Sequence, residues 1–246
     1  MKELRPVDLN FICSRIPKDI RKALKDSPGS LILGGGFIRA TLAGERVTDI
    51  DLFGPTIDLV NVVALNLCAE RRGKVHRSDN AITVLAPPRI PVQFITRWTF
   101  NDPFTLINSF DFTICQAAVW IDHDGELYKF HSVVSDDFYQ DLAARRLVYT
   151  FPERVEDAGG SFLRVIKFVK KGYNVQPPSL AGVTARLAGA VNGFDNMSEK
   201  GRAVIISGLL RNVDPLTVVD GVDFVDEHEI FTQEGGKAVE NNQSES

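Results

Sequence analysis

An α+β fold is predicted, with a mixed sheet and flanking helices to about residue 134 and a helical C-terminal region after it. Three observations predict it. Short runs rich in β-branched and aromatic residues alternate with helical runs through the first half. Beyond Ser135 helical spacings replace them. No internal repeat interrupts this order, so 246 residues make one large or two small domains. The expected division is 1–134, 135–232 and a polar tail 233–246.

Residues 1–30 form a helical lead-in, with Pro17 near a helix start and Pro28-Gly29 as a stop. SLILGGG is a short buried strand running into glycines, and GFIRATLAG is a helix ending at Gly44. Asp49 to Phe53 is a second strand, and Asp58 to Arg72 a helix. ITVLAPPRIPVQFIT holds two β-rich runs around a Pro-Pro turn, a hairpin pattern. FDFTICQAAVWI is a further strand, with HDGE as a turn and ELYKFH returning antiparallel. SDDFYQDLAARR begins with N-cap residues. FLRVIKFVKKGY spaces Phe162, Val165, Ile166, Val169 and Tyr173 along one helical face. PSLAGVTARLAGAV and EKGRAVIISGLLRNV complete the helices, and EGGKAVENNQSES has the composition of a disordered tail.

Composition narrows the function classes. With 44% hydrophobic and 24% charged residues, the chain is neither collagenous, coiled-coil nor wholly disordered. No apolar run approaches the ~20 residues of a membrane-spanning helix, and the first residues lack a secretory signal's apolar core. Cys13, Cys68 and Cys115 lie far apart and form no CxxC pair, so neither a disulfide framework nor a thiolate zinc site is favoured. A cytoplasmic setting without a membrane partner is expected. The net charge of −4 conceals a division: 214–246 carries nine acidic residues and one lysine, leaving 27 basic against 23 acidic residues in 1–213. A mildly basic body permits contact with nucleic acid.

The chemistry gathers between Gly34 and Asp51. A strand delivers Gly34, Gly35 and Gly36 into a helix start, where unobstructed backbone N–H groups and the positive helix end suit phosphate. Asp49 and Asp51, at i and i+2 of the next strand, project from one face. Adjacent carboxylates repel unless a cation lies between them, and Mg²⁺ takes carboxylate and phosphate oxygens together. Two such ions are expected, one activating an attacking hydroxyl and one clamping a nucleoside triphosphate. Arg39, one turn into the helix, is a candidate to support the phosphates. Arg164, Lys167 and Lys171 form a basic arc that suits a triphosphate or an RNA backbone. Ser78-Asp79-Asn80 reads as a turn. His76, His123, His131 and His228 show no metal spacing. GGG is neither a Walker loop nor a dinucleotide fingerprint, since no GK[ST] or GxGxxG is present.

GGFIRATLAGERVTDIDLF resembles the GGxVRD…DxD signature of tRNA CCA-adding enzymes and bacterial poly(A) polymerases, within the DNA polymerase beta-like nucleotidyltransferase superfamily. Gly35, Gly36, Phe37, Ile38 and Arg39 align with it, and Ala40 stands where that family has Asp. Arg164 and Phe168, with Lys167 at a basic position, match part of a later R-x-x-R-x-x-RF helix. The resemblance spans about 30–175 and implies transfer of an NMP from an NTP to an acceptor hydroxyl, with a tRNA or other RNA 3′ end as the implied partner. It also implies a third carboxylate from a neighbouring strand. Phe110-Asp111-Phe112 fits that pattern, while the other position holds Gln93, which is not an anionic ligand. Downstream no EDxxR or ERxxxE helix follows. A protein or small-molecule acceptor, and a non-catalytic binding module on the same scaffold, remain alternatives at this point.

Overall fold

The structure is a computed structural model. It describes residues 1–211 except 126, 154–157 and 192–195. The acidic tail, with His228, lies outside the described residues. The described residues belong to one unit, Met1–Val213.

The helical lead-in is two helices, α1 (Pro6–Arg15) and α2 (Lys18–Asp26). Pro6 opens α1 where its missing N–H costs nothing. Strand β1 (Ile32–Gly34) runs into α3 (Gly36–Ala43), which Gly44 ends in the left-handed conformation. Then come β2 (Ile50–Phe53) and α4 (Ile57–Arg71), whose first turn is held by the Thr56 hydroxyl accepting from Leu59 N–H. Strands β3 (Lys74–Arg77), β4 (Ala81–Leu85) and β5 (Val92–Ile95) follow, the last two forming the expected antiparallel hairpin. The Ser78 hydroxyl closes the turn between β3 and β4, as read.

Helix α5 (Pro103–Asn108) has no counterpart among the sequence expectations. Its signal is present: Asp102 accepts from Phe104 and Thr105 N–H, and Pro103 occupies the first helical position. The strand expected over 110–121 begins late. Thr113–Cys115 is a 3₁₀ turn, and β6 spans Ala117–Asp124. Asp111 and Thr113 are drawn instead to Arg164 and Asp141, partners far along the chain that local periodicity does not show. Strand β7 (Leu127–Val134) returns antiparallel. Beyond it lie α6 (Phe138–Ala143), β8 (Arg146–Leu147), α7 (Ala158–Lys170), β9 (Asn174–Val175), α8 (Pro177–Gly189) and α9 (Glu199–Arg211). The short parallel pair of β8 and β9 was not foreseen.

The main sheet runs β3-β4-β5-β2-β1-β6-β7. Its β2–β5 pair is parallel and its other pairs are antiparallel. One face buries Leu33, Ile50, Leu52, Val92, Phe94, Ile82 and Val84 with Val60, Ala64 and Leu67 of α4. The opposite face carries Ile32, Phe53, Ala118 and Val133, packed with Phe100, Leu106 and Ile107. A further core joins Phe112 and Ile114 to Leu147, Tyr149, Val165, Phe168 and Tyr173. The helices after residue 134 therefore share apolar contacts with the segment leading into β6.

Candidate active site

The glycine turn and the acidic pair meet. Gly34 ends β1 directly across the ladder from Asp51 of β2, and Asp49 immediately precedes that strand. A Cβ placed on Gly36 would lie 3.9 Å from the Asp49 Oδ1. Asp49 is 9% exposed and Asp51 half-buried. One carboxylate thus stands at the N-terminus of α3, where the first-turn N–H groups lack intrahelical acceptors and the helix end favours negative charge.

The three glycines serve different ends. Gly34 is a packing requirement, since a Cβ there would come within 3.0 Å of Phe53 and 3.1 Å of Phe110. Gly35 caps α3 at φ 66° and ψ −113°, a conformation that suits glycine. Gly36 meets nothing tighter than the Asp49 oxygen. Its missing side chain leaves room beside a carboxylate and a helix end.

Two carboxylates fit Mg²⁺ when a polyphosphate completes its shell, because this ion is usually held by one or two carboxylates, waters and substrate phosphates. Among the described residues no three His, Cys, Asp or Glu side chains converge on a common point. The expected third carboxylate does not join the pair. Asp111 is 2% exposed and accepts from Arg164 Nε at 2.7 Å. Its backbone carbonyl accepts from Thr150 N–H. Beside Asp51, on β5, the ladder places Gln93.

Arg39 departs from expectation for a physical reason. It is 4% exposed, and its guanidinium donates to Glu45 Oε2 at 2.5 Å. It lies over the Phe168 ring at 4.9 Å and near that of Tyr173 at 5.9 Å. Tyr173 donates its hydroxyl to the other Glu45 oxygen at 2.8 Å. Burial and that hydrogen bond push the Tyr173 phenol up to about 12. Burial works against the Arg39 charge, yet Cys115, Glu45 and Tyr173 together raise its pKa. Arg39 thus ties α3 to α7 and the segment after it, rather than reaching out to a phosphate. Sequence spacing did not show this, because Glu45 and Tyr173 belong to no motif.

Arg164 and Lys167 come near the floor of the turn. The Cys115 carbonyl lies 3.8 Å from where a Gly35 Cβ would sit. The Cys115 thiol, pushed up to about 12 chiefly by burial, feels Arg39, Asp111, Arg164 and Lys167. Arg164 is engaged with Asp111, and Lys167 is half-buried. Ala40, where the resembled signature has Asp, is buried at 2%.

Comparison with known proteins decides the family. The profile of the Gabija anti-defense 2 family matches residues 7–145, more than half of the chain. The chain belongs to the Gabija anti-defense 2 family. A protein named Gabija anti-defense 2 from Bacillus phage SPbetaL7 is 25% identical over 169 residues, covering 69% of this chain and 40% of that protein. The matched stretch thus spans well under half of that relative's length.

Among solved structures, the Thermotoga maritima CCA-adding enzyme complexed with tRNA aligns with a TM-score of 0.54 at 16% identity, covering 88% of this chain and 53% of that one. A CCA-adding enzyme with CTP gives 0.55 at 17%, covering 88% and 53%. One with ATP gives 0.53 at 18%, covering 88% and 52%. The chain spans about half of each. The fold is therefore the nucleotidyltransferase fold of the CCA-adding enzyme head, as the signature implied.

Proposed function

We propose that this chain is a Mg²⁺-dependent nucleotidyltransferase that moves an NMP from an NTP to an acceptor hydroxyl, and that this activity serves an anti-defense role against Gabija. One observation carries the reading: Asp49 and Asp51 stand against the glycine turn, with an Asp49 oxygen 3.9 Å from the missing Cβ of Gly36. Asp49 and Asp51 would hold Mg²⁺. With a triphosphate bound, such an ion would supply positive charge to offset the phosphates and Lewis acidity to activate an attacking hydroxyl. The first turn of α3 orients phosphate oxygens through its N–H groups, and Gly36 lets the backbone approach them. Arg164 and Lys167 add positive potential on the α7 side. An RNA 3′ end is the acceptor favoured by resemblance, and the cytoplasm the site of action.

A second reading is a nucleotide-binding module that acts by occupancy alone. Gln93 beside Asp51 and the commitment of Asp111 to Arg164 favour it. The two separate by experiment. The full chain is incubated with each α-labelled NTP, Mg²⁺ and, in turn, total RNA, protein extract and small hydroxyl acceptors. The first reading expects label on one acceptor class, pyrophosphate release, and loss of both in Asp49→Ala and Asp51→Ala. Mg²⁺-dependent NTP binding without label on any acceptor establishes the second reading. Absence of NTP binding overturns both.

A further inference from the structure

We infer that a pocket between α1, α3 and α6, at the end of α3 away from the glycine turn, binds a small organic oxyanion: a carboxylate or phosphate monoester on an apolar body. The inference is independent of the nucleotide reading of the Asp49–Asp51 site.

The pocket has a volume of about 310 Å³, which falls near the lower end of the range for small-molecule sites. Its walls are Leu42 and Ala43, the last residues of α3, and Leu142 and Ala143, the last of α6. Its polar groups are Arg5, Asp8, Tyr139 and Arg145. About 10 Å of helix separates Ala43 from Gly36, so the pocket is distinct from the glycine turn.

The charges lining it do not balance. Arg5 Nε donates to Asp8 Oδ2 at 2.6 Å, and the Tyr139 hydroxyl donates to the same oxygen at 2.7 Å. Asp8 is thereby matched by Arg5, whose guanidinium lies over the Tyr139 ring at 4.6 Å. Arg145 has no carboxylate so close. Its Nη1 donates to the Lys171 carbonyl at 3.2 Å and lies 3.5 Å from Glu45 Oε1. Glu45 is held more tightly by Arg39 at 2.5 Å and the Tyr173 hydroxyl at 2.8 Å. The lining residues thus set two guanidiniums against one carboxylate. Because α1 begins at the pocket while α3 and α6 end there, the partial charges of the helix ends oppose one another, and the guanidiniums decide the sign.

The backbone singles out Arg145. Its φ is 46°, one residue past the C-cap Ala144 of α6, a left-handed position where glycine is the usual occupant and a Cβ is disfavoured. An arginine stands there instead, with its side chain 45% exposed on the pocket lining. Strain of this kind gathers at ligand sites. Guanidinium groups bind carboxylate and phosphate oxygens through paired N–H donors. Among the described residues the side-chain bonds run from Arg5 Nε and Arg145 Nη1, so both groups keep donors for an oxyanion. The aliphatic walls suit an apolar body. A surplus of one positive charge suits one anionic group rather than a polyphosphate.

The test uses the full chain without nucleotide. Benzoate and phenyl phosphate are titrated beside their neutral counterparts, benzamide and benzyl alcohol, and beside inorganic phosphate, with amide NMR shifts as the readout. Shifts should gather on the starts of α1 and the ends of α3 and α6. The better of the two anions should bind about tenfold more tightly than its neutral counterpart, and inorganic phosphate more weakly than that anion; which of the two is better assigns carboxylate or phosphate. Arg145→Gly suits the left-handed backbone, so it should melt within about 3 °C of wild type and bind the better anion at least about tenfold more weakly. Arg5→Gln, at a 67% exposed side chain, gives the same reading where Arg145→Gly unfolds. Ala43→Leu fills the pocket and should exclude every probe. The site is overturned by neutral probes or inorganic phosphate that match the better anion, by the absence of shifts at millimolar concentration, or by variants that bind as wild type does. Asp49→Ala should bind the probes unchanged; a loss there moves them to the nucleotide site and overturns the pocket.

Discussion

Replacing Arg39 with Met should weaken the fold far more than it weakens nucleotide binding. The guanidinium is paired with Glu45 at 2.5 Å, with side chains 5% and 13% exposed. Removing one partner of a buried pair costs about 3–5 kcal/mol, because the other charge stays buried. Here Glu45 keeps the Tyr173 hydroxyl at 2.8 Å and Arg145 at 3.5 Å, which puts that loss near the lower end. The lost contact with the Phe168 and Tyr173 rings adds about 0.5–1 kcal/mol. A total of about 3–4 kcal/mol corresponds to a fall of roughly 10 °C in Tm for a unit of this size. Urea unfolding and thermal melting measure it. Arg39→Met with Glu45→Gln should regain about half, since no unpaired carboxylate then remains. NTP affinity, measured well below the melting range, should stay within about threefold of wild type. A loss below about 1 kcal/mol together with a tenfold weaker NTP affinity would refute the reasoning and return Arg39 to the phosphates.

Gly36→Ala makes the complementary case. Its Cβ meets nothing closer than the Asp49 oxygen at 3.9 Å, and alanine favours a helix by about 0.5–1 kcal/mol over glycine. The variant should melt at or above wild type yet bind Mg²⁺-NTP at least several-fold more weakly by calorimetry; unchanged affinity removes Gly36 from the cradle. Asp19 supplies a pH dependence. Burial pushes its carboxyl up, but the hydrogen bond and charge of Arg71, with help from Ile20 N–H and Arg89, hold it below the usual range. A folded-state pKa below the unfolded ~3.9 gives stability that is present above that pH and lost as pH falls through the folded value. Arg71 has a 1% exposed side chain, so Asp19→Asn should lose about 2–3 kcal/mol at pH 7. Its difference from wild type should shrink progressively below about pH 4 in urea titrations, and a constant gap down to pH 2 contradicts the assignment.

The contrast between Gly36 and Arg39 shows where sequence reasoning carries and where it stops. Gly34 to Gly36 and Asp49 to Asp51 are legible because their meaning is local. A strand entering a helix, and two acids before and within the next strand, need only one antiparallel pairing to be brought face to face, and Gly34 opposite Asp51 is that pairing. The helices α2, α3, α4, α7 and α8 were legible for the same reason: apolar spacing, glycine stops and prolines act within a turn or two. Arg39 obeys the same signature, yet its side chain is governed by Glu45 and Tyr173, and Tyr173 lies 134 positions away. Asp111 is governed by Arg164, 53 residues along the chain. The charge on a motif residue says that it needs a partner; packing between distant segments decides which. Gln93 was set aside in sequence because it has no charge. Its register one strand from Asp51 puts a neutral amide beside the pair, and an amide, unlike a carboxylate, would not compete for a cation held by Asp49 and Asp51.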